Sequence, residues 1–164
     1  MVASASITGA SKADVKFTAV GPAGLHIVGE SEALQVRDDA KSLVVVAALD
    51  ALATGIGLRD RHMKEKYLEV PKYPNATLSV DRAALRFPAA GGKVSGDAQG
   101  DLTLHGKTKR VPFHYDVRAD AGGFEVDGTM KVTMTDFGIE APSYMGMHVK
   151  PEVEVQVHFH AAGN

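Results

Sequence analysis

The sequence contains no cysteine. That absence excludes disulfides, a thiolate nucleophile, zinc knuckles and iron–sulfur ligation, and it says little about compartment. No run approaches the roughly 20 apolar residues that a membrane-spanning helix needs. Nor does one sign of charge dominate: 18 Lys and Arg stand against 20 Asp and Glu, for a net charge of −2. With no basic stripe to meet phosphates, nucleic acid is not an expected partner. The familiar catalytic signatures are also missing, with no G-x-S-x-G elbow, H-E-x-x-H or Walker loop. Gly55-Ile56-Gly57 lacks the third glycine and the βαβ surroundings of a dinucleotide loop. Met1 to Ser4 lacks a basic n-region and an apolar h-region, so the chain either stays in the cytoplasm or has lost an export signal.

What is present is alternation. The 164 residues suit one domain, and 17 glycines with abundant Val, Thr and Ala favour many short strands joined by tight turns. Val15 and Phe17 point opposite to Lys16 and Thr18, before a turn at Gly21-Pro22-Ala23-Gly24. Leu25, Ile27, Leu34 and Val36 resume the pattern. Residues 41–49, KSLVVVAAL, read as a strand buried on both faces. A short strand covers 76–81, an irregular connection 82–92, and longer strands 93–105, 109–118, 124–134 and 152–160, with His105 to Thr108 as a turn. The last strand alternates most cleanly, Val153, Val155, Val157 and Phe159 against Glu154, Gln156, His158 and His160. The expected fold is all-β, roughly eight antiparallel strands closed into a barrel that leaves no exposed edges.

One stretch breaks the pattern. Arg59 to Glu69 lacks Gly, Pro and β-branched residues and is rich in good helix formers, so it predicts one short helix packed at an end of the barrel. Asp60 with Lys64 and Arg61 with Glu65 support its wet face. Met63 and Tyr67 share the other face, where they are expected to meet the channel and to gate or line one end of it. Arg59, Asp60 and His62 place three ionisable groups beside the presumed mouth, which keeps open a small enzyme or metal-dependent activity. Asp60 and His62 point about 200° apart on a helix, however, which disfavours a paired catalytic dyad.

The interior predicted from alternation comprises Phe17, Leu25, Ile27, Phe113, Tyr115, Phe124, Met130, Met134, Val155 and Phe159, with room left by Ala47 and Ala98. Small barrels either fill themselves or hold one apolar ligand, and the residues leave both open. His114, His158 and His160 lie on faces read as solvated, where histidine is ordinarily a polar surface residue, so no metal is expected.

Three blocks, TGIGLRDRHMKEKYLEVPKYPNATL, GDLTLHGKTKRVPF and GTMKVTMTDFGI, resemble the bacterial YceI-like family in order and spacing. The matching positions are Thr54, Gly55, Arg59, Asp60 and His62, then Leu102, Thr103, His105, Gly106, Thr108 and Lys109, then Asp136, Phe137 and Gly138. The N-terminal FTAVGPAGLHIVG departs from the family's usual pattern. The resemblance implies a lipocalin-like, eight-stranded antiparallel β-barrel that binds a polyisoprenoid lipid or isoprenoid quinone in its apolar channel without catalysis. The implied lipid contacts are the ten interior residues together with Met63 and Tyr67. No cofactor is required, an apolar isoprenoid is the expected partner, and a homodimer is one option for assembly. The resemblance favours a periplasmic or secreted location after signal-peptide removal.

Overall fold

The structure is a computed structural model that describes residues 7–39, 41–89, 91–144 and 147–163. The leading residues read for an export signal lie outside the described residues. Strand β1 (Ile7–Val20) turns through Pro22–Gly24 into β2 (His26–Ser31) and β3 (Leu34–Asp38), followed by β4 (Ser42–Ala48). The helix α1 (Gly57–His62) precedes β5 (Asn75–Asp81), β6 (Lys93–Leu104), β7 (Lys107–Asp120) and β8 (Gly123–Thr133). A minimal ladder of β9 (Ser143–Tyr144) and β10 (Met147–His148) leads into β11 (Glu152–Gly163).

Nine strands form one antiparallel sheet in the order β2-β1-β11-β8-β7-β6-β5-β4-β3. The two outermost members follow each other in the chain, separated only by Glu32 and Ala33. At this bend Ala33 N–H donates to the Ser31 hydroxyl at 3.0 Å and the Ala33 carbonyl accepts from Ala48 N–H at 3.2 Å. Residues 26–38 thus act as one bent strand whose first half pairs with β1 and whose second half pairs with β4. The expected eight strands become nine because the bend divides one of them, and the partner change nearly closes the barrel.

Side chains obey the period of two that a half-buried sheet requires. Along β11, Val153 and Phe159 are buried while Glu154 and Gln156 are exposed. The run at 41–49 is less enclosed than expected: Leu43, Val44 and Leu49 are buried, but Val45 to Ala48 are only half-buried. The turn between β6 and β7 is tighter than expected, because Leu104 pairs with Lys107 and only His105 and Gly106 lie between them. Both adopt positive φ, 55° and 76°, which is the geometry of a two-residue hairpin and the reason for a glycine there.

The helix begins at Gly57 and ends at Tyr67, its last stretch, Met63–Tyr67, widening into a π turn in which Leu68 N–H donates to the Met63 carbonyl at 2.8 Å. It stops short of Glu69 because that residue turns to φ 50° and sends its carboxylate to His105, 2.5 Å away. Alternating strand directions put the helix at the end of the barrel where β4, β6 and β8 finish. The same end is plugged by Phe137 and Ile139, each 2% exposed, from the connection after β8. At the opposite end residues 82–89 run as a strap across the barrel, opening with a 3-10 turn at Arg82–Ala84.

Candidate ligand-binding cavity

Between plug and strap the barrel encloses an apolar cavity of about 120 Å³. That is about ten times the space one water needs, and the wall is almost wholly apolar, the Tyr115 hydroxyl being its one polar side-chain group. Its origin is local. The inward positions of β6 are Gly96, Ala98, Gly100 and Leu102, so three small residues stand where a barrel of this size would otherwise be filled by side chains. Tyr115 and Leu78 lean into that space: a Cβ on Gly96 would lie 2.8 Å from the Tyr115 hydroxyl, and one on Gly100 would lie 2.9 Å from Leu78 Cδ1. Gly128, opposite Tyr115 on β8, is different. Its nearest neighbour to an added Cβ is 3.9 Å away, so this position leaves real space.

Of the twelve residues expected to contact lipid, Phe113, Tyr115, Met130 and Phe159 line the cavity. Phe124 is buried beyond it, packed edge-on against Phe87 with ring centroids 5.2 Å apart. Phe17, Ile27, Met134 and Val155 pack around Ala19, Val149 and Val153 at the plugged end. Leu25 is not interior at all: it is 58% exposed, because the short turn at Pro22–Gly24 carries it past the end of β1. Met63 packs against Leu49, Leu52 and Val70, and Tyr67 against the group containing Phe137 and Ile139. Neither lines the cavity: Tyr67 packs with the plug, and Met63 with Leu49, Leu52 and Val70. The wall is closed instead by Leu85 and Phe87 of the strap. Sequence reading passed over both, since the strap has no periodicity; its one signal is two large apolar residues, Leu85 and Phe87, in an irregular connection. Leu43 and Val45, which line the wall from β4 beside Ala47, were legible only as part of an apolar run, whereas Ala47 was expected to leave room in the interior.

The ionisable groups placed at the mouth serve a different purpose. Asp60 accepts from the backbone N–H of Thr54 at 2.8 Å and from its hydroxyl at 2.5 Å, while Arg59 donates to the Thr54 hydroxyl and carbonyl oxygens, each at 2.8 Å. Burial pushes the Asp60 carboxyl up, but the Thr54 donors, with Lys64 and Arg59 nearby, outweigh it and hold the group below its usual range. His62 is exposed and takes no part in this network. The three groups therefore do not converge on a polar pocket, and the Thr54-to-Asp60 block fixes the entry to the helix.

The family-like blocks meet around His105. Its Nε2 contacts Glu69, its Nδ1 lies 3.1 Å from the Phe137 carbonyl, and Tyr73 packs on its ring at 4.8 Å. Glu69 and Tyr73 from the first block, His105 from the second and Phe137 from the third thus lock helix, hairpin and plug together.

On the outer wall the histidines pair with acids. His114 sits 3.0 Å from Asp97, and His158 sits 2.7 Å from Asp127 and 3.1 Å from Glu125. The Asp97 hydrogen bond raises the titration of His114 and the Asp127 hydrogen bond that of His158, against an opposing effect of burial. Asp120, Glu125 and His160 bring one donor atom each within 4.8 Å of the others, with Asp120 exposed and Glu125 and His160 half-buried.

Comparison with known proteins settles the family. Residues 4–161 match the YceI-like domain. The chain belongs to the YceI-like family. A UPF0312 protein from Pseudomonas savastanoi pv. phaseolicola is 33% identical over 113 residues, covering 65% of this chain and 56% of the relative. One from Pseudomonas putida strain W619 is 33% identical over 105 residues, covering 60% and 52%. The chain thus spans about half the length of these curated relatives. Among solved structures, a polyisoprenoid-binding domain from Saccharophagus degradans superposes with a TM-score of 0.81 at 18% identity, covering 98% of this chain and 99% of that one. Burkholderia cenocepacia BcnA gives a TM-score of 0.70 at 19% identity over 90% and 95% of the two chains. The YceI-like fold is therefore shared over nearly the whole chain.

Proposed function

We propose that this YceI-like protein binds a long apolar lipid of the polyisoprenoid class in its barrel and carries or sequesters it without transforming it. The carrying observation is the cavity, whose wall draws apolar side chains from both sheet and strap and presents no converging set of ionisable groups. The fold shared with a domain that binds polyisoprenoids supports the same reading. Burying about 400 Å² of tail gains on the order of 10 kcal/mol before ordering costs, so affinity needs no charged anchor for the tail. A long chain exceeds the cavity as it stands, so binding requires the interior side chains or the strap to part.

Organic extraction of the purified protein followed by mass spectrometry tests the reading, with binding of added isoprenoid alcohols and quinones as the second arm. Recovery or uptake of a polyisoprenoid in about one-to-one proportion is the expected result. No lipid recovered and none taken up overturns it.

A further inference from the structure

The wall of the barrel carries a seam on the strap side of β6. Along one edge β6 pairs with β7 over its full length, from Lys93 opposite Arg118 to Leu104 opposite Lys107. Along the other, β5 pairs with it only at Asp101, Leu102 and Thr103, opposite Ser79, Leu78 and Thr77. β5 meanwhile keeps its ladder with β4 out to Asp81, and the next N–H, that of Arg82, donates to the Lys41 carbonyl at 2.8 Å. The chain therefore stays with β4 as it peels away from β6. Among the described residues no backbone hydrogen bond joins the strap to residues 93–98 of β6.

Side chains alone span the gap. Gly96 lies opposite Tyr115, and a Cβ there would sit 2.8 Å from the Tyr115 hydroxyl, so the ring lies across the inner face of Gly96. From that position the hydroxyl accepts the Arg86 N–H, which holds the strap beside β6. Leu85 and Phe87 pack against the cluster that includes Tyr115, Val117 and Phe124. Arg86 on one bank, and Ser95 and Asp97 on the other, are exposed.

We infer that the lipid enters and leaves sideways, through the seam between the strap and the unpaired edge of β6, while the helix end stays shut. The inference rests on the cavity reading above and adds the route. Parting β6 from β7 breaks a ladder that runs the length of the strand, whereas parting it from the strap breaks one hydrogen bond and apolar contacts that a hydrocarbon tail replaces. Leu85 and Phe87 line the cavity as well as the seam, so their displacement opens straight into it. At the other end His105 ties Glu69 to the Phe137 carbonyl, and Phe137 and Ile139 are each 2% exposed. A long chain admitted sideways has no need to thread past them.

The absence of cysteine makes a staple across the seam unambiguous. Arg86→Cys with Ser95→Cys, joined by a short bis-maleimide, is compared with the same variant left unjoined, by stopped-flow displacement of a fluorescent isoprenoid from the full chain. Joining should slow exchange about tenfold or more. Thr77→Cys with Thr103→Cys staples the same two elements where they are already paired, and should leave exchange unchanged. Equal rates with and without the seam staple, or equal slowing by the second staple, overturn the route and leave the cavity reading intact. No uptake of isoprenoid by the native protein overturns both. Hydrogen exchange of the lipid-free protein reads the seam directly: within residues 93–98 every second amide, the one turned from β7, should exchange about a hundredfold or more faster than its neighbours. Uniform protection along that stretch also overturns the route.

Discussion

The hydroxyl of Tyr115 accepts a hydrogen bond from the backbone N–H of Arg86 at 3.1 Å, which ties the wall of the barrel to the strap that covers its cavity. Tyr115 is 3% exposed, and its cross-strand neighbours Gly96 and Gly128 give its ring room to reach that far. The bond costs little to make and would be expensive to leave half-made. Tyr115→Phe should therefore lower stability by about 1–2 kcal/mol and speed exchange of a bound lipid several-fold. Phe87→Ala should speed exchange further, since it removes the side chain that closes the wall. Stopped-flow displacement of a fluorescent isoprenoid checks both; unchanged exchange in the pair would place the entrance elsewhere.

Gly128 offers a way to fill the cavity without disturbing the sheet. It faces inward in register with Tyr115 and Val157, and an added Cβ meets nothing closer than 3.9 Å. Gly128→Leu should keep the circular dichroism and thermal midpoint near those of the native protein. Bound lipid, counted by native mass spectrometry, should fall about tenfold because the new side chain occupies the ligand's volume.

Asp60→Asn tests whether the Thr54-to-Asp60 block is structural. At neutral pH it should cost about 1 kcal/mol, the value of weakening charge-assisted bonds in a half-exposed site. The carboxyl titrates below its unfolded value, so its contribution is present above the ordinary carboxylate pKa and is lost as pH falls through the folded one. Urea unfolding at pH 7 and pH 3 should show the difference between native and variant shrinking at the acid end. Lipid binding should not change.

The outer wall makes the opposite prediction in pH. His158 titrates above its ordinary value, led by the hydrogen bond to Asp127. A raised folded pKa means the pair stabilises fully below about pH 6.5 and fades as pH rises through the folded value. Proton NMR should find the His158 midpoint above that of a free histidine, and Asp127→Asn should move it back down. His114 should behave likewise through Asp97.

How much of this was legible beforehand depends on the residue. Val153, Val155, Val157 and Phe159 announce their inward face through strict alternation, and the helix announces itself through what it lacks. Leu25 misled because it continues an apolar pattern in sequence while a left-handed Ala23, φ 58°, turns the chain away from the wall. Leu85 and Phe87 were invisible because an irregular segment carries no period to read. Whether Tyr67 reaches a ligand depended on Phe137 and Ile139, which arrive from a distant part of the chain and fill the space first, and Met63 is taken up by Leu49, Leu52 and Val70. Alternation reports which side a residue takes; it carries no information about what stands at the ends of the barrel.

The pairing of β1 with β11, Ile7 opposite Gly163 and Ala19 opposite Val153, also sets the order of events during synthesis. Successive hairpins from β4 to β8 can assemble as they leave the ribosome, each from neighbours close in the chain, but β1 must wait for a partner more than a hundred residues away. Until β11 arrives, β1 and β8 each carry a bare edge open to pairing with another chain. The barrel is thus most vulnerable just before β11 joins it, and a chaperone that holds β1 would protect it at the moment that matters.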